Sequence, residues 1–151
     1  MTKPLLILIG TMTGTSEVLA DELKEHLESK GYSNIHNMLT EEVTAKDIES
    51  FENVFIVIST WGDGELPDGA IDLHDDLKSE SPDLSAINYA ICALGDHDYD
   101  PYFCEAGKQF DILFSSLGAS RITETYEVDG DPTDVQEEIY QWALRATESF
   151  V

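Results

Sequence analysis

The chain has 151 residues and carries 8 Lys and Arg against 31 Asp and Glu, a formal net charge of -23 at pH 7. A chain of this length can bury a core as one domain without disulfide or metal support, and two cysteines make neither a disulfide framework nor a metal cluster. The charge argues against nucleic acids and anionic membrane surfaces as partners, because positive side chains bind both. Two interpretations of the charge stay open: attraction of basic proteins, or solubility alone.

The longest apolar runs have five residues and lie at 5–9, 54–58 and 90–94. A transmembrane helix needs about 20 apolar residues, and the first run is too short for a signal peptide, so we expect a cytoplasmic protein. Runs of this length between turn residues are typical of strands buried on both faces. Each is followed by a glycine-containing loop and a helical pattern, which predicts a parallel sheet with right-handed crossovers.

Hydrophobic periodicity and end signals place the other elements around these strands. In chain order we predict a strand at 5–9, a helix over 16–30, a weaker strand over 33–38, a short helical turn within 40–51, a strand over 53–59, a helix over 69–79, a strand over 88–94, a helix over 103–117, a strand over 121–128 and a helix from 133 onward. Gly31 and Gly118 suit the left-handed residue that follows a helix, and Thr133 with Gln136 fits a capping box. This count fits a single domain over 1–151, a five-stranded, doubly wound parallel sheet of order 2-1-3-4-5 with helices on both faces.

A loop rich in hydroxyl groups joins the first strand to the first helix. Its sequence, GTMTGTSE at 10–17, lacks the glycine spacing of dinucleotide-binding loops and the lysine of triphosphate-binding loops. Thr11, Thr13, Thr15 and Ser16 nevertheless place four hydroxyls at the amino end of a helix, where an anion is favoured. We interpret the loop as a site for one terminal monophosphate, and the alternative is an ordinary helix cap.

Two polar loops each carry an aromatic side chain suited to stack on a flat ligand. Trp61 follows the strand at 53–59 and precedes Gly62 and Gly64, which permit positive φ and close approach of the backbone. Tyr99 lies among three Asp residues after the strand at 88–94. The alternative for Trp61 is packing onto the protein's own core.

In a doubly wound sheet the three loops meet in one crevice, at the carboxyl ends of the strands where the strand order reverses. One loop offers an anion site and two offer aromatic plates, each worth about 1–3 kcal/mol per stacked ring face by analogy with nucleobases. A planar heteroaromatic ligand with a monophosphate tail fits, and flavin mononucleotide (FMN) is the candidate. From residue type alone, Phe103 is expected to pack under its loop, His97 to be solvated, and Cys104 to be a small buried apolar residue.

A family resemblance rests on three ordered motifs, which are GTMTGTSE at 10–17, STWGDGELPD at 59–68 and ALGDHDYDPYFCEAGKQFD at 93–111. Over nearly its whole length the chain resembles the short-chain flavodoxins and the FMN domains of diflavin reductases, and it looks most similar to the free-standing MioC-type flavodoxins. The resemblance implies a flavodoxin-like fold, FMN as cofactor, no catalytic residue and no metal. Thr15 departs from the family pattern, which usually has Asn at that position.

The resemblance also implies roles by position. Gly62 would turn its peptide so that the carbonyl accepts the N5–H of a neutral flavin semiquinone, and Asp129 would reach the edge of the site. The implied cofactor contacts are Thr11, Met12, Thr13, Gly14, Thr15 and Ser16 for the phosphate, Ser59 and Thr60 for the ribityl chain and phosphate, Trp61 and Tyr99 for the two ring faces, Gly62 and Gly64 by close backbone approach, and Leu94, Gly95, Asp96, Phe103 and Cys104 along the third loop.

The implied function is a one-electron carrier rather than an enzyme. Electrons would come from a separate flavin reductase and pass to an unknown acceptor enzyme, both with basic faces that dock on the acidic loops of a monomer. Alternatives are a flavin-dependent quinone reductase, which would need basic residues to hold a pyridine nucleotide, and an interaction module that keeps the fold without the flavin. A phosphoacceptor receiver domain would need an Asp where the strand at 53–59 instead ends in Ser59 and Thr60.

Overall fold

Parallel strands alternate with helices along the chain in a computed structural model that describes residues 3–99 and 101–150, with the backbone alone at Tyr99. The strands are β1 (Leu5–Gly10), β2 (Ile35–Leu39), β3 (Asn53–Ser59), β4 (Asn88–Gly95), β5 (Ser120–Arg121) and β6 (Tyr126–Asp129), and the helices are α1 (Thr15–Ser29), α2 (Ala45–Glu49), α3 (Asp68–Glu80), α4 (Glu105–Ser116) and α5 (Gln136–Thr147). The sheet has the order β2-β1-β3-β4-β5, and β6 also pairs with β4. The predicted doubly wound architecture is confirmed.

The fifth position of the sheet is interrupted, whereas the sequence predicted one strand over 121–128. β5 pairs Arg121 with Tyr89 and β6 pairs Tyr126 with Cys92, so five residue steps on this edge lie opposite three on β4. Between the two pairs, the carbonyl of Glu124 accepts the indole N–H of Trp142 at 3.0 Å. A contact with α5 therefore accompanies a bulge that strand propensity does not signal.

Alternate strand residues face two hydrophobic cores, one on each side of the sheet. On β1, Leu6 and Leu8 face the core shared with α2, α3 and α4, while Ile7 and Ile9 face the core shared with α1 and α5. All of β1 is buried. Full burial of one such side chain stabilises the fold by about 1.5–3 kcal/mol, and burial on both faces explains why the apolar runs are continuous rather than alternating.

Residues in the left-handed region shift two of the predicted element ends. Asn34 has φ 63° and Cys104 has φ 54°, so β2 begins at residue 35 instead of 33 and α4 begins at residue 105 instead of 103. Gly31 and Gly118 have positive φ after α1 and α4, as predicted. No helix within residues 3–99 and 101–150 is long and apolar enough to cross a membrane.

The start of the last helix also differs from the prediction. The capping side chain is Asp131, whose carboxylate accepts the N–H of Thr133 at 2.9 Å. Pro132–Val135 form a short 3-10 turn and α5 begins only at Gln136. The predicted capping box of Thr133 and Gln136 is therefore wrong, because Pro132 starts the turn one residue earlier, where its missing N–H costs nothing.

Candidate functional site

A cavity of about 330 Å³ lies at the carboxyl ends of β1, β3 and β4, where the strand order reverses. This is the crevice that the sheet topology predicts for a ligand. Its lining comes from all three predicted loops and from the turn after β6. The lining residues are Met12, Thr13, Thr15, Ser59, Thr60, Trp61, Leu94, Gly95, Asp96 and Gly130.

The first loop is held open at the amino end of α1. Thr11 Oγ1 accepts the N–H of Gly14 at 2.9 Å, and Gly14 adopts φ 93°. The first bond of α1 runs from the N–H of Val18 to the carbonyl of Gly14 at 3.0 Å, so the amides before Val18 fall outside the helical ladder. Thr13 and Thr15 place their hydroxyls 3.4 Å apart beside these amides. The loop therefore gathers neutral donors at the positive end of a helix dipole.

Ser16, the second residue of α1, ends this loop and is not part of the cavity lining. Its side chain is 0% exposed, and its Oγ finds no hydrogen-bond partner among the described residues. Buried hydroxyls are nearly always paired in folded proteins. An unpaired hydroxyl inside a loop of anion-binding geometry is consistent with a ligand oxygen that completes the loop, so the residues present fit a phosphate group.

The second loop is a tight hairpin with Trp61 on its outer face. Trp61 and Glu65 exchange both backbone hydrogen bonds, at 2.9 and 2.7 Å. Gly62 has φ 51° and Gly64 has φ 87°, values in the left-handed region that favours glycine. Trp61 is 47% exposed, so the alternative that it packs onto the core is wrong.

Contacts with its neighbours fix this second loop. The N–H of Thr60 donates to the carbonyl of Leu94 at 3.0 Å, and Thr60 Oγ1 accepts the N–H of Ala106 at 2.9 Å. Ser59 Oγ donates to the carbonyl of Gly10 at 3.4 Å. Met12 Sδ lies 3.2 Å from the N–H of Asp68 and joins the first loop to the second.

Asp129 organises the third loop. Its carboxylate accepts the N–H of His97 at 3.0 Å, and the N–H of Gly130 donates to the carbonyl of Gly95 at 2.9 Å. The Asp96 carboxylate accepts the N–H of Asp98 at 2.8 Å. The side chain of Tyr99, the predicted second aromatic plate, lies outside what the structure describes.

Phe103 and Cys104 do not line the cavity, in contrast to the contacts that the resemblance implied for them. Cys104 Sγ is fully buried, donates to the carbonyl of Ala93 at 3.3 Å, and has its pKa raised to about 12 by burial. Phe103 stacks on His97 with ring centroids 3.7 Å apart. A Cβ on Gly95 would lie 2.7 Å from the backbone nitrogen of Cys104, so these residues support the loop from below.

Sequence reasoning missed Gly130 as a lining residue. The signal was available in the run Asp129-Gly130-Asp131, because a glycine between two Asp residues after a strand marks a turn. Placing that turn beside the β4 loop needs the pairing of Gly95 with Asp129 across the sheet.

A larger cavity of about 510 Å³ lies near the amino end of β4. Three of its polar side chains are paired with one another: Tyr89 O–H donates to Asp111 at 2.5 Å, and Arg121 forms an ion pair with the same carboxylate at 2.7 Å. Within residues 3–99 and 101–150, no group of three or more His, Cys, Asp or Glu is placed to hold a metal ion. The candidate site is therefore the cavity of about 330 Å³ at the carboxyl ends of β1, β3 and β4, which we call the carboxyl-edge cavity.

Comparisons with known proteins identify the family of the chain. The sequence profile of the flavodoxin family matches residues 7–142. The chain is 39% identical over 127 residues, 83% of its length, to the sulfite reductase (NADPH) flavoprotein alpha-component of Shewanella sp. strain MR-7, and 32% identical over 132 residues, 87% of its length, to that of Bacillus subtilis. It spans about a fifth of the length of these relatives, 20% and 22%.

Solved structures show the same fold over nearly the whole chain. Oxidised flavodoxin 2 from Bacillus cereus is 30% identical with a TM-score of 0.87, over 97% of this chain and 99% of that one. The flavodoxin from Streptococcus pneumoniae TIGR4 is 30% identical with a TM-score of 0.83, over 95% and 97%. The chain therefore belongs to the flavodoxin family, a family of FMN-binding electron-transfer proteins.

Proposed function

We propose that this chain holds FMN in the carboxyl-edge cavity and carries single electrons between protein partners. The observation that carries the proposal is one cavity that joins the hydroxyl-lined amino end of α1 to the exposed ring of Trp61. The bound cofactor would supply the redox chemistry. The residues of the chain would bind it, exclude water and hold a proton.

The phosphate would lie in the loop of residues 11–16. Backbone N–H groups at the start of α1, apart from that of Gly14, which donates to Thr11 Oγ1, would supply donors there together with the hydroxyls of Thr13 and Thr15, without a positive side chain. A phosphate oxygen would also supply the partner that Ser16 Oγ lacks among the described residues. This environment suits one monophosphate rather than a triphosphate with magnesium.

The ring system would lie against Trp61, with Tyr99 as the second plate. Ser59 and Thr60 line the cavity together with Trp61 and Met12, and a ribityl chain would pass along them. Gly62, at the exposed end of the hairpin, would offer its carbonyl to a proton on flavin N5. Such a bond would separate the potentials of the two one-electron steps, because it would stabilise the flavin that has gained one electron and one proton.

Carboxylates would disfavour further negative charge on the flavin. The loop segments 10–17, 59–68, 94–105 and 129–135 contain no Lys or Arg, and Asp63, Glu65, Asp68, Asp98, Asp129 and Asp131 are exposed on them. A carboxylate at about 10 Å with an effective dielectric constant near 20 opposes an added charge by about 1.7 kcal/mol, or about 70 mV for one electron. A few such carboxylates would strongly lower the potential of the second one-electron reduction.

The same carboxylates would dock basic partners. We propose a flavin reductase as donor and an acceptor enzyme with a basic face, because complementary charge steers such encounters. Both cysteines are free and buried, which suits a reducing compartment such as the cytoplasm. We propose a monomer as the working form.

Stepwise reduction of the reconstituted protein tests the proposal. Apoprotein mixed with FMN is expected to become yellow, and titration with dithionite is expected to produce a long-wavelength absorption band that rises and then disappears. That course requires two separated one-electron steps. A protein that stays colourless with FMN, or a single two-electron wave, would overturn the proposal.

A further inference from the structure

The hairpin that carries Trp61 is docked on the first turns of α4. Thr60 Oγ1 accepts the N–H of Ala106 at 2.9 Å, and Gln109 Nε2 donates to the carbonyl of Gly64 at 2.8 Å. These two bonds join segments 46 and 45 residues apart in sequence. The hairpin is therefore anchored to a rigid helix just before it begins and again near its end.

Gly64 is the second anchor, and the structure there requires a glycine. It is buried with φ 87°, and a Cβ at this position would lie 3.1 Å from Tyr102 Cδ1 and 3.2 Å from Glu105 Cγ. The backbone at Gly64 thus approaches the start of α4 closely enough for the Gln109 amide to reach its carbonyl.

The part of the hairpin between the anchors is short and exposed. Trp61 and Glu65 are joined by their two backbone bonds, and Gly62 and Asp63 form the exposed tip. Under the proposed function, the carbonyl of Gly62 turns toward flavin N5. A fixed carbonyl at Gly64 confines that change to the peptide between Gly62 and Asp63.

We propose that Gln109 is a positioning residue for the hairpin that carries Trp61 and Gly62. It acts through Gly64: its neutral amide supplies the donor that holds the hairpin against α4, and so sets how readily the Gly62 carbonyl can face the flavin. The effect on the flavin rests on the proposed function, whereas the anchoring of the hairpin by Gln109 does not.

The test compares Gln109→Met with Gln136→Met. Methionine keeps a long unbranched side chain and removes the donor. Gln136 is the control, because it is a partly buried helix residue whose Nε2 donates to Tyr140 Oη at 2.8 Å and to Glu22 Oε2 at 3.0 Å, away from the hairpin. Gln109→Glu is the second variant if Gln109→Met does not fold, because a carboxylate has similar size but only accepts.

The first readout is amide hydrogen exchange in the apoprotein. The N–H groups of Trp61 and Glu65 are expected to exchange about tenfold faster in Gln109→Met, as for the loss of one net hydrogen bond, and at the unchanged rate in Gln136→Met. Unchanged exchange in both variants would overturn the anchoring role. This readout needs no flavin, so failure of the proposed function leaves it intact.

The second readout is the pair of one-electron potentials of the FMN-loaded protein. The gap between them is expected to narrow in Gln109→Met and to stay at the unsubstituted protein's value in Gln136→Met. Faster exchange in the Gln109 variant with an unchanged gap would overturn the positioning role and leave a structural contact. A protein that binds no FMN at all would contradict the proposed function instead.

Discussion

The two tryptophans show how one residue type serves two purposes. Trp142 is buried, and its indole N–H donates to the carbonyl of Glu124 at 3.0 Å. Trp61 is 47% exposed and lies on a hairpin whose tip is Gly62 and Asp63. A large apolar ring left half in water beside a cavity is a surface that a flat ligand would cover.

Replacing Trp61 tests that interpretation. Trp61→Leu is expected to weaken FMN binding about fivefold to a hundredfold, because stacking on an aromatic side chain contributes about 1–3 kcal/mol per base. Flavin fluorescence titration measures the affinity. Ile112→Ala is the control, since Ile112 is 71% exposed and does not line the cavity. Equal affinities in both variants would mean that Trp61 does not stack on the ring.

A histidine gives the fold a pH-dependent contribution. His74 packs edge-on against Phe110 with ring centroids 5.3 Å apart, and burial lowers its pKa below the usual 6.5, although Asp75 opposes the shift. The unfolded chain therefore binds a proton at a higher pH than the folded chain. The stability that neutral His74 provides is present above about pH 6.5 and is lost as the pH falls below that value.

Urea unfolding of the apoprotein across this range checks the sign. The free energy of unfolding of the unsubstituted protein is expected to fall more steeply from pH 7.5 to 5.5 than that of His74→Gln. Carboxylates titrate in both proteins, so the difference between them isolates the histidine. Parallel curves would show that His74 titrates alike in both states.

The first loop works as one element with α1, because the helix supplies amides and a dipole that no single side chain could replace. Thr15→Val removes one hydroxyl while keeping the shape of the side chain. We expect FMN affinity to fall about tenfold, as for loss of a hydrogen bond to a charged group, while riboflavin, which has no phosphate, binds unchanged. Thr123→Val is the control. An equal loss for both flavins would place the phosphate elsewhere.

The helix α4 approaches the sheet closely through a glycine. A Cβ on Gly107 would lie 2.6 Å from the Cβ of Ala93 on β4. Ala in a helix is favoured over Gly by about 1 kcal/mol, but overpacking a core costs about 1–3 kcal/mol.

Gly107→Ala is therefore expected to be destabilising despite its better helix propensity. Urea unfolding of the apoprotein measures the change, with Ser115→Ala on the exposed side of α4 as the control for propensity alone. A more stable Gly107→Ala protein would show that α4 can move away from β4 at little cost.

At the scale of the whole molecule, charge is the dominant feature. The net charge is -23, and none of the eight Lys and Arg residues lies in the four loop segments around the cavity. Exposed charges act over about a Debye length, roughly 10 Å at 0.1 M salt, so this face would attract a basic protein strongly only at low ionic strength.

Electron transfer from the reduced protein to a basic c-type cytochrome is therefore expected to slow steeply as salt rises. Stopped-flow measurements at several salt concentrations would give the dependence. Transfer to a small uncharged oxidant is the control and is expected to change little. A flat dependence for the cytochrome would mean that the charge serves solubility alone.

Local sequence patterns determined the buried strands, the first helix and the family of this protein. Five-residue apolar runs between turn residues predicted the buried strands, because a strand covered on both faces carries apolar residues at every position. Hydrophobic periodicity predicted α1, and the hydroxyl-rich loop marked its amino end. The motifs then indicated the flavodoxin family and predicted an FMN site at the carboxyl ends of the strands.

The tertiary structure alone decided the features that depend on contacts between residues far apart in sequence. It broke the fifth strand at Glu124, whose carbonyl pairs with Trp142 18 residues away. It placed Cys104 under the cavity instead of along it, and it brought Gln109 to Gly64 across 45 residues of sequence. Such contacts arise from packing between elements, and no local pattern of residues encodes which donor will meet which carbonyl.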